Sequence, residues 1–291
     1  MRLSMTKRVF LTGHPVGHSV SPAFQQAALD YYSLDVRYEA IDVDAPSLSQ
    51  VIMGLRDSDV MGANVTVPHK EATVAFLDEL TEEARLIGAV NTIQNREGTL
   101  IGHNTDAPGF LKALKEESGF DAEGKTVVVL GAGGAARAVV VALASAGVKS
   151  LVVANRTLER AEALVDCLRS ILPSAEAVAL DSGALGQLAA RSQLIVNCTS
   201  VGMSGGTGQG ETPIRTDLIP ARALVCDLVY NPQETPLMRA ATKAEALVLG
   251  GLPMLVYQGG IAFELWTGKE APIKVMFEAA EKALRARQPV G

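Results

Sequence analysis

The sequence predicts an α/β chain of two domains, the second a doubly wound parallel sheet. Three observations carry that expectation. Short apolar runs alternate with helical stretches along almost the whole chain, and 27 glycines gather in clusters near the ends of those runs. One stretch, 125–155, also reads as a complete strand, turn, helix and second strand. Size and balance agree with this. The 291 residues make roughly two lengths of about 150 each, and 48% hydrophobic with 20% charged residues is ordinary for a chain that buries two cores.

In the first half, RVFLTG and RYEAIDV read as strands. Between them SPAFQQAALDYYSL reads as a helix, with Ser21 as its N-cap and Pro22 in its first turn. SLSQVIMGLRD is a further helix and GANVTV a further strand. From Lys125 the β-branched run TVVVL leads through GAGG into the alanine-rich helix ARAVVVALASAG and out into SLVVAN. Gly147 stands where a left-handed residue ends that helix, and Thr157 stands where it can cap the next, LERAEALVDCLRSIL. The later runs AVAL, QLIVNCTS, ALVCDLVY and ALVLGG continue the alternation, which implies a parallel, doubly wound sheet. SGGTGQG, 204–210, reads as a surface loop. After Gly251 two helical stretches, PMLVYQGGIAFELWTG and PIKVMFEAAEKALRARQ, finish the chain without another strand and are expected to return to the first domain and close over its cleft. The expected division is residues 1–105 with 253–291 for one domain and 106–252 for the other.

Charge narrows the partners. Twenty-six basic against 32 acidic residues leave −6, which offers no field to a nucleic acid. Nowhere do about 18 uncharged apolar residues follow one another, so no membrane span is expected, and the start has no apolar run resembling a signal peptide. Cys167, Cys198 and Cys226 form no CxxC pair and lie in or beside apolar runs, which fits a reducing compartment and packed thiols. A cytoplasmic protein is expected. His14, His18, His69 and His103 have no carboxylate or cysteine beside them at ligand spacing, so no metal is expected. Monomer and homodimer both remain open.

In VVVLGAGGAARA the glycines sit at the end of a strand and before a helix, the context that gives a GxGxxG/A pattern its meaning. Gly131 allows the tight turn, Gly133 lets backbone approach a pyrophosphate, and Ala136 keeps helix and strand close. The backbone of Gly131, Ala132, Gly133, Gly134 and Ala135 therefore forms the phosphate turn of a Rossmann-type domain, with the N–H groups of the helix start facing the anion. About twenty residues on, where an NAD-binding chain places a carboxylate for the ribose 2′-hydroxyl, this sequence has Asn155, Arg156 and Thr157, with Arg160 following. A guanidinium binds a 2′-phosphate that a carboxylate would repel, so NADP is the expected cofactor.

Four clusters in the first half combine glycine, hydroxyls, amides and single charges: GHPVGHSVSP, GANVTVPHK, GAVNT and GHNTD. Each falls at an expected strand end or strand-helix junction, where open α/β sheets bind small molecules. These clusters, with GAGGAARA, NRTLERA, NCTSVGM, DLVYNPQETPL and GGLPMLVYQGGIAFELWTG after them, give nine ordered motifs by which the chain resembles the shikimate dehydrogenase family nearly end to end.

The resemblance implies a small-molecule substrate and the reversible, NADPH-dependent reduction of 3-dehydroshikimate to shikimate in aromatic amino-acid biosynthesis. By the same matching, Ser19, Ser21 and Tyr230 hold the substrate carboxylate. Thr66, Asn91 and Gln258 bind ring hydroxyls, with Asn64 as a supporting neighbour. Lys70 and Asp106 match the catalytic pair, and backbone at Leu228 and Gly251 lies against the nicotinamide side of the cofactor. The residue types suit the chemistry, since reduction of a ketone needs a group that both stabilises a developing alkoxide and gives a proton, as a lysine ammonium does. Which of Lys70 and Asp106 delivers the proton stays open at this stage. The chain departs from the family in carrying Gln25 where His often follows SP. Quinate- or aminoshikimate-accepting dehydrogenases are the neighbouring alternative. Members that use quinate with NAD tend to carry an acidic residue after the arginine, where this chain has Thr157. A non-catalytic dinucleotide-binding regulator is disfavoured by the intact Lys70 and Asp106.

Overall fold

The computed structural model describes residues 6–206 and 208–287. The first five residues, Thr207 in the 204–210 loop and the tail from Gln288 lie outside the described residues. The chain separates into two compact units, one of residues up to Gly109 with those from Leu255 onward, the other Phe110–Met254.

The first unit begins β1 (Lys7–Gly13), α1 (Ser21–Tyr31), β2 (Val36–Asp42), α2 (Leu48–Gly54) and β3 (Val60–Val65), as the apolar patterning predicts. It continues with β4 (Glu79–Leu80), α3 (Glu82–Ile87), β5 (Thr92–Arg96), β6 (Thr99–His103) and the start of α4 (Asp106–Ser118). Among the described residues its sheet runs β2-β1-β3-β5-β6-β4. The pairs flanking β1 are parallel, whereas β5 pairs antiparallel with both β3 and β6. The β5-β6 hairpin escapes the sequence reading because TIQNR and TLIGH are short and half polar. Its two-residue turn has both Glu97 (φ 53°) and Gly98 (φ 91°) in the left-handed region, as a tight hairpin needs. Beneath the sheet Phe10, Leu48, Ile52, Val60, Ala63, Ile93 and Leu100 form one buried core.

The second unit holds β7 (Thr126–Leu130), α5 (Gly134–Ser145), β8 (Ser150–Asn155), α6 (Leu158–Leu168), β9 (Glu176–Ala179), α7 (Gly183–Ala189), β10 (Leu194–Asn197), β11 (Leu224–Asp227), α8 (Pro236–Lys243) and β12 (Leu247–Leu249). Every pairing in its sheet is parallel, in the order β12-β11-β10-β7-β8-β9. That is the doubly wound arrangement expected, with the topological switch between β7 and β10. Val127, Val128, Val129 and Leu130 have no exposed surface, which explains why β7 reads as an unbroken apolar run rather than an alternating one.

The last two helices among the described residues are α9 (Leu252–Thr267) and α10 (Ile273–Arg285). Glycine inside a helix costs about 1 kcal/mol relative to alanine, and Gly259 in α9 has a packing reason to be there. A β-carbon on it would stand 2.4 Å from the ring of Phe24 in α1. Gly109 in α4 plays the same part against Gln258, whose backbone nitrogen would lie 2.7 Å from an added β-carbon. Within the first unit α10 packs along α1, so the return of the last helix is borne out.

Two capping expectations are corrected. Ser21 is the first residue of α1 rather than its cap: Val20 holds the cap position, and the Ser21 N–H donates to Ser19 Oγ at 3.2 Å. Thr157 does occupy the cap of α6, but its side chain makes no capping bond, and the Asn155 amide instead donates to the Thr157 carbonyl at 2.8 Å. Gly147 ends α5 with φ 77°, as expected of a left-handed residue.

Candidate active site

In the first unit the loop after β3 turns back so that the Thr66 N–H donates to the Thr12 carbonyl and the Lys70 carbonyl accepts from Val90, both at 2.8 Å. Those bonds fix the backbone under Lys70. Its Nζ donates to Asp106 Oδ2 at 2.5 Å, and the two side chains are only 14% and 6% exposed. Asp106 is the first residue of α4, where the helix dipole favours a negative side chain. Its N–H donates to Asn104 Oδ1 at 3.1 Å, and the Asn104 amide is tied to the Ala89 carbonyl at 2.9 Å. The other carboxylate oxygen accepts from Asn91 Nδ2 at 2.9 Å.

Asn91 sits at the centre of the group. Besides Asp106, its Nδ2 lies 3.1 Å from Gln258 Oε1 and 2.9 Å from Thr105 Oγ1, while its Oδ1 accepts from the Thr105 N–H at 2.7 Å. Gln258 is held by its own amide donating to the Leu255 carbonyl at 2.7 Å. Asn64 donates to the Asn91 carbonyl at 3.2 Å and to Thr92 Oγ1 at 3.0 Å, and accepts from the Tyr38 hydroxyl at 2.7 Å. The structure therefore gathers Lys70, Asp106, Asn91, Gln258 and Asn64 into one polar cluster, with Thr66 half-buried just beyond the end of β3.

Ser19 and Ser21 form their own pair, the Ser19 hydroxyl donating to the Ser21 hydroxyl at 3.1 Å. The loop that carries them is fastened at two points that the sequence reading missed. Asp42 accepts from the Val16 N–H at 3.2 Å and pairs with His14, whose hydrogen bond is the first cause holding the Asp42 carboxyl below the usual range. The Arg287 guanidinium donates to the carbonyls of His18 and, at 3.0 Å, Ser19. His69 is also a loop residue, its ring nitrogen 2.5 Å from the Val43 carbonyl. No group of three or more His, Cys, Asp or Glu side chains among the described residues could hold a metal.

In the second unit Gly131 follows β7 with φ 106°, and a β-carbon there would stand 3.0 Å from Thr199 and 3.2 Å from the Cys198 backbone, across the switch point. Gly133 is the extended cap of α5, with no atom within 4 Å of an added β-carbon, and α5 begins at Gly134 and Ala135 without a side-chain cap. Ala136 is fully buried and Ala132 is 8% exposed, so the turn offers backbone rather than side chains. Past β8, Arg156 is exposed, and Arg160 reaches back to the Ala132 carbonyl at 3.4 Å. An open glycine cradle with two cations at the end of β8, and Asn155 in place of a carboxylate, fits a dinucleotide bearing a 2′-phosphate.

Leu228 and Gly251 are neighbours, for a β-carbon on Gly251 would stand 2.3 Å from the Leu228 carbonyl oxygen. Tyr230 follows two residues later and is half-buried. Behind this backbone lies Asp227, which the sequence reading did not single out. It accepts from Thr235 at 2.6 Å, Asn197 at 2.8 Å and the Val229 N–H at 3.1 Å, while burial pushes its carboxyl above the usual range. A lone acidic residue ending the apolar run ALVCD was the available signal. Burial likewise raises the Cys198 thiol well above its ordinary value, which suits packing rather than reactivity.

Comparison with known proteins brings the geometry to a family. Profiles described as shikimate dehydrogenase substrate binding domain, shikimate/quinate 5-dehydrogenase and shikimate 5′-dehydrogenase C-terminal domain match residues 11–93, 113–202 and 251–281. The shikimate dehydrogenase (NADP+) of Methanopyrus kandleri is 46% identical over 96% of this chain and 97% of its own. That of Moorella thermoacetica is also 46% identical, over 97% and 95%. The crystal structure of the Thermus thermophilus shikimate 5-dehydrogenase in complex with NADP(H) and shikimate is 41% identical, with a TM-score of 0.86 over 96% of this chain and all of that one.

Proposed function

The chain belongs to the shikimate dehydrogenase family, and from that premise we propose how its own residues divide the work. It is an NADP-dependent oxidoreductase of aromatic biosynthesis that interconverts 3-dehydroshikimate and shikimate. The first unit binds the substrate and the second binds NADP.

The observation that carries the mechanism is the Asp106 carboxylate, with one oxygen accepting from Lys70 and the other from Asn91. With both oxygens taken by donors, Asp106 acts as an acceptor that aims the lysine. Lys70 Nζ has two further hydrogens beyond the one given to Asp106. One of them hydrogen-bonds the carbonyl oxygen of the ketone, stabilises the charge that grows there and passes to it as the proton. In the direction of oxidation the same nitrogen takes the hydroxyl proton. NADPH, when bound, supplies the hydride. Asn91, Gln258 and Thr66, with Asn64 beside them, orient the ring through neutral hydrogen bonds, which adds no charge against the substrate carboxylate. Ser19, Ser21 and Tyr230 receive that carboxylate.

Gly131, Ala132, Gly133, Gly134 and Ala135 hold the pyrophosphate. Arg156 and Arg160, with Asn155 and Thr157, hold the 2′-phosphate, and backbone at Leu228 and Gly251 lines the nicotinamide side. No helix among the described residues is long and apolar enough to cross a membrane. We place the protein in the cytoplasm as a monomer or homodimer, a setting that suits its three free cysteines. The test is absorbance at the NADPH band with shikimate or quinate and NADP or NAD. Turnover of shikimate with NADP well above every other pair supports the assignment, and preference for quinate or NAD overturns it.

A further inference from the structure

The polar side chains behind Lys70 and Asp106 form a chain whose direction is fixed by its backbone ends. The Thr105 N–H can only donate, so the Asn91 oxygen faces it at 2.7 Å and the Asn91 amide hydrogens face Asp106 Oδ1 at 2.9 Å. The Asn91 carbonyl can only accept, so the Asn64 amide points to it at 3.2 Å and to Thr92 Oγ1 at 3.0 Å. Asn64 Oδ1 is then left to accept from the Tyr38 hydroxyl at 2.7 Å, and Thr92 passes its own hydrogen to Asn91 Oδ1 at 3.2 Å. Donors thus run one way, from Tyr38 through Asn64, Thr92 and Asn91 to Asp106. Every member is nearly sealed from solvent: Tyr38 is 6% exposed, Asn64 5%, Asn91 2%, Thr92 not at all and Asp106 4%.

We propose that Tyr38 and Thr92 are positioning residues for the reaction, whose hydroxyls hold the two carboxamides so that the Asn91 amide keeps Asp106 aimed at Lys70. The proposal rests on the reading that Lys70 and Asp106 carry the proton transfer. Bonds aligned in one direction inside a protein polarise one another, so the donor presented to Asp106 is strengthened by those behind it. Without the Tyr38 and Thr92 hydroxyls the backbone groups still set the sense of both amides, but Asn64 Oδ1 and Asn91 Oδ1 each lose a donor, and the two carboxamides are held less firmly. A loosened Asn91 amide gives Asp106 Oδ1 a weaker donor and leaves the carboxylate less closely aimed at Lys70.

The test is steady-state shikimate oxidation with NADP by Tyr38→Phe, Thr92→Val and Thr92→Ser beside Lys70→Ala, with the thermal midpoint of each. Thr92→Val keeps the packing and loses the hydroxyl, whereas Thr92→Ser keeps the hydroxyl and loses a methyl. Removing one partner from a buried hydrogen bond predicts that Tyr38→Phe and Thr92→Val lower kcat about five- to fiftyfold, with KM within about threefold of wild type. Thr92→Ser is expected to hold kcat within about threefold even where its midpoint falls. Wild-type kcat in Tyr38→Phe and Thr92→Val overturns the proposal. So does a loss in Thr92→Ser as large as that in Thr92→Val, because activity then follows packing. Should Thr92→Val fail to fold, Tyr38→Phe carries the comparison. Full turnover by Lys70→Ala strikes instead at the catalytic pair on which the proposal stands, so the two failures are told apart.

Discussion

Asp106 accepts from Lys70 at 2.5 Å while standing at the first turn of a helix, its backbone N–H already bound to Asn104. The carboxylate is therefore fixed in position before any substrate arrives, and the lysine ammonium is fixed by it. Asp106→Asn keeps the shape and removes the charge that orients Lys70. General acid catalysis by a positioned group is worth about 10²- to 10⁴-fold, and loss of orientation alone is expected to cost at least about tenfold in kcat with a smaller change in KM for shikimate. Initial rates across a shikimate series check this, and an Asp106→Asn enzyme with unchanged kcat removes Asp106 from the reaction.

Arg156 is exposed at the end of β8 and Arg160 touches the glycine turn from the next helix. Charge-assisted bonds to phosphate contribute roughly 1.5–3 kcal/mol each, so Arg156→Ala is expected to raise KM for NADPH about ten- to hundredfold and to leave KM for NADH nearly unchanged. Equal effects on the two cofactors would mean that Arg156 does not meet the 2′-phosphate.

Gly251 leaves no room for a side chain, since an added β-carbon stands 2.3 Å from the Leu228 carbonyl oxygen. Gly251→Ala forces the two backbones apart. Overpacking of this kind typically costs about 1–3 kcal/mol, read as a lower urea midpoint, and displacement of the backbone proposed to line the nicotinamide should raise KM for NADPH in the same variant. An alanine variant with wild-type stability and wild-type KM would show that the two backbone segments there can separate freely.

Acid stability offers a separate check on the first unit. The Arg56 guanidinium, and after it the Leu100 N–H, hold the Asp78 carboxyl below the usual range. A carboxyl lowered in the folded state stabilises the fold above its unfolded pKa, about 3.9, and loses that contribution as pH falls through the folded value. Asp78→Asn is therefore expected to lower the thermal midpoint at pH 7 and to flatten its fall below about pH 4. A variant whose midpoint falls as steeply with acid as that of the wild type would separate Asp78 from the acid limb.

Much of the fold was legible because its elements obey simple periods. The second sheet announces itself in TVVVL and SLVVAN, since parallel strands covered on both faces are apolar throughout. The hairpin of β5 and β6 was not legible, because half its residues are polar and its register depends on a turn with two left-handed residues. At the site, Lys70, Asn91 and Asp106 stood out as polar residues at strand ends. Tyr38 and Thr92 did not, because an aromatic residue and a β-branched one inside strands look like ordinary sheet residues. Only the three-dimensional register shows where their hydroxyls point. Arg287 was invisible for another reason, being 268 residues from the Ser19 carbonyl it holds.

The most direct measurement of the central claim is turnover of shikimate with NADP by Lys70→Ala. If Lys70 gives and takes the proton, kcat falls by at least about a hundredfold while KM stays within a few-fold of wild type, as for an interaction concentrated in the transition state. A Lys70→Ala enzyme that keeps most of its kcat contradicts the assignment and returns the proton to another group.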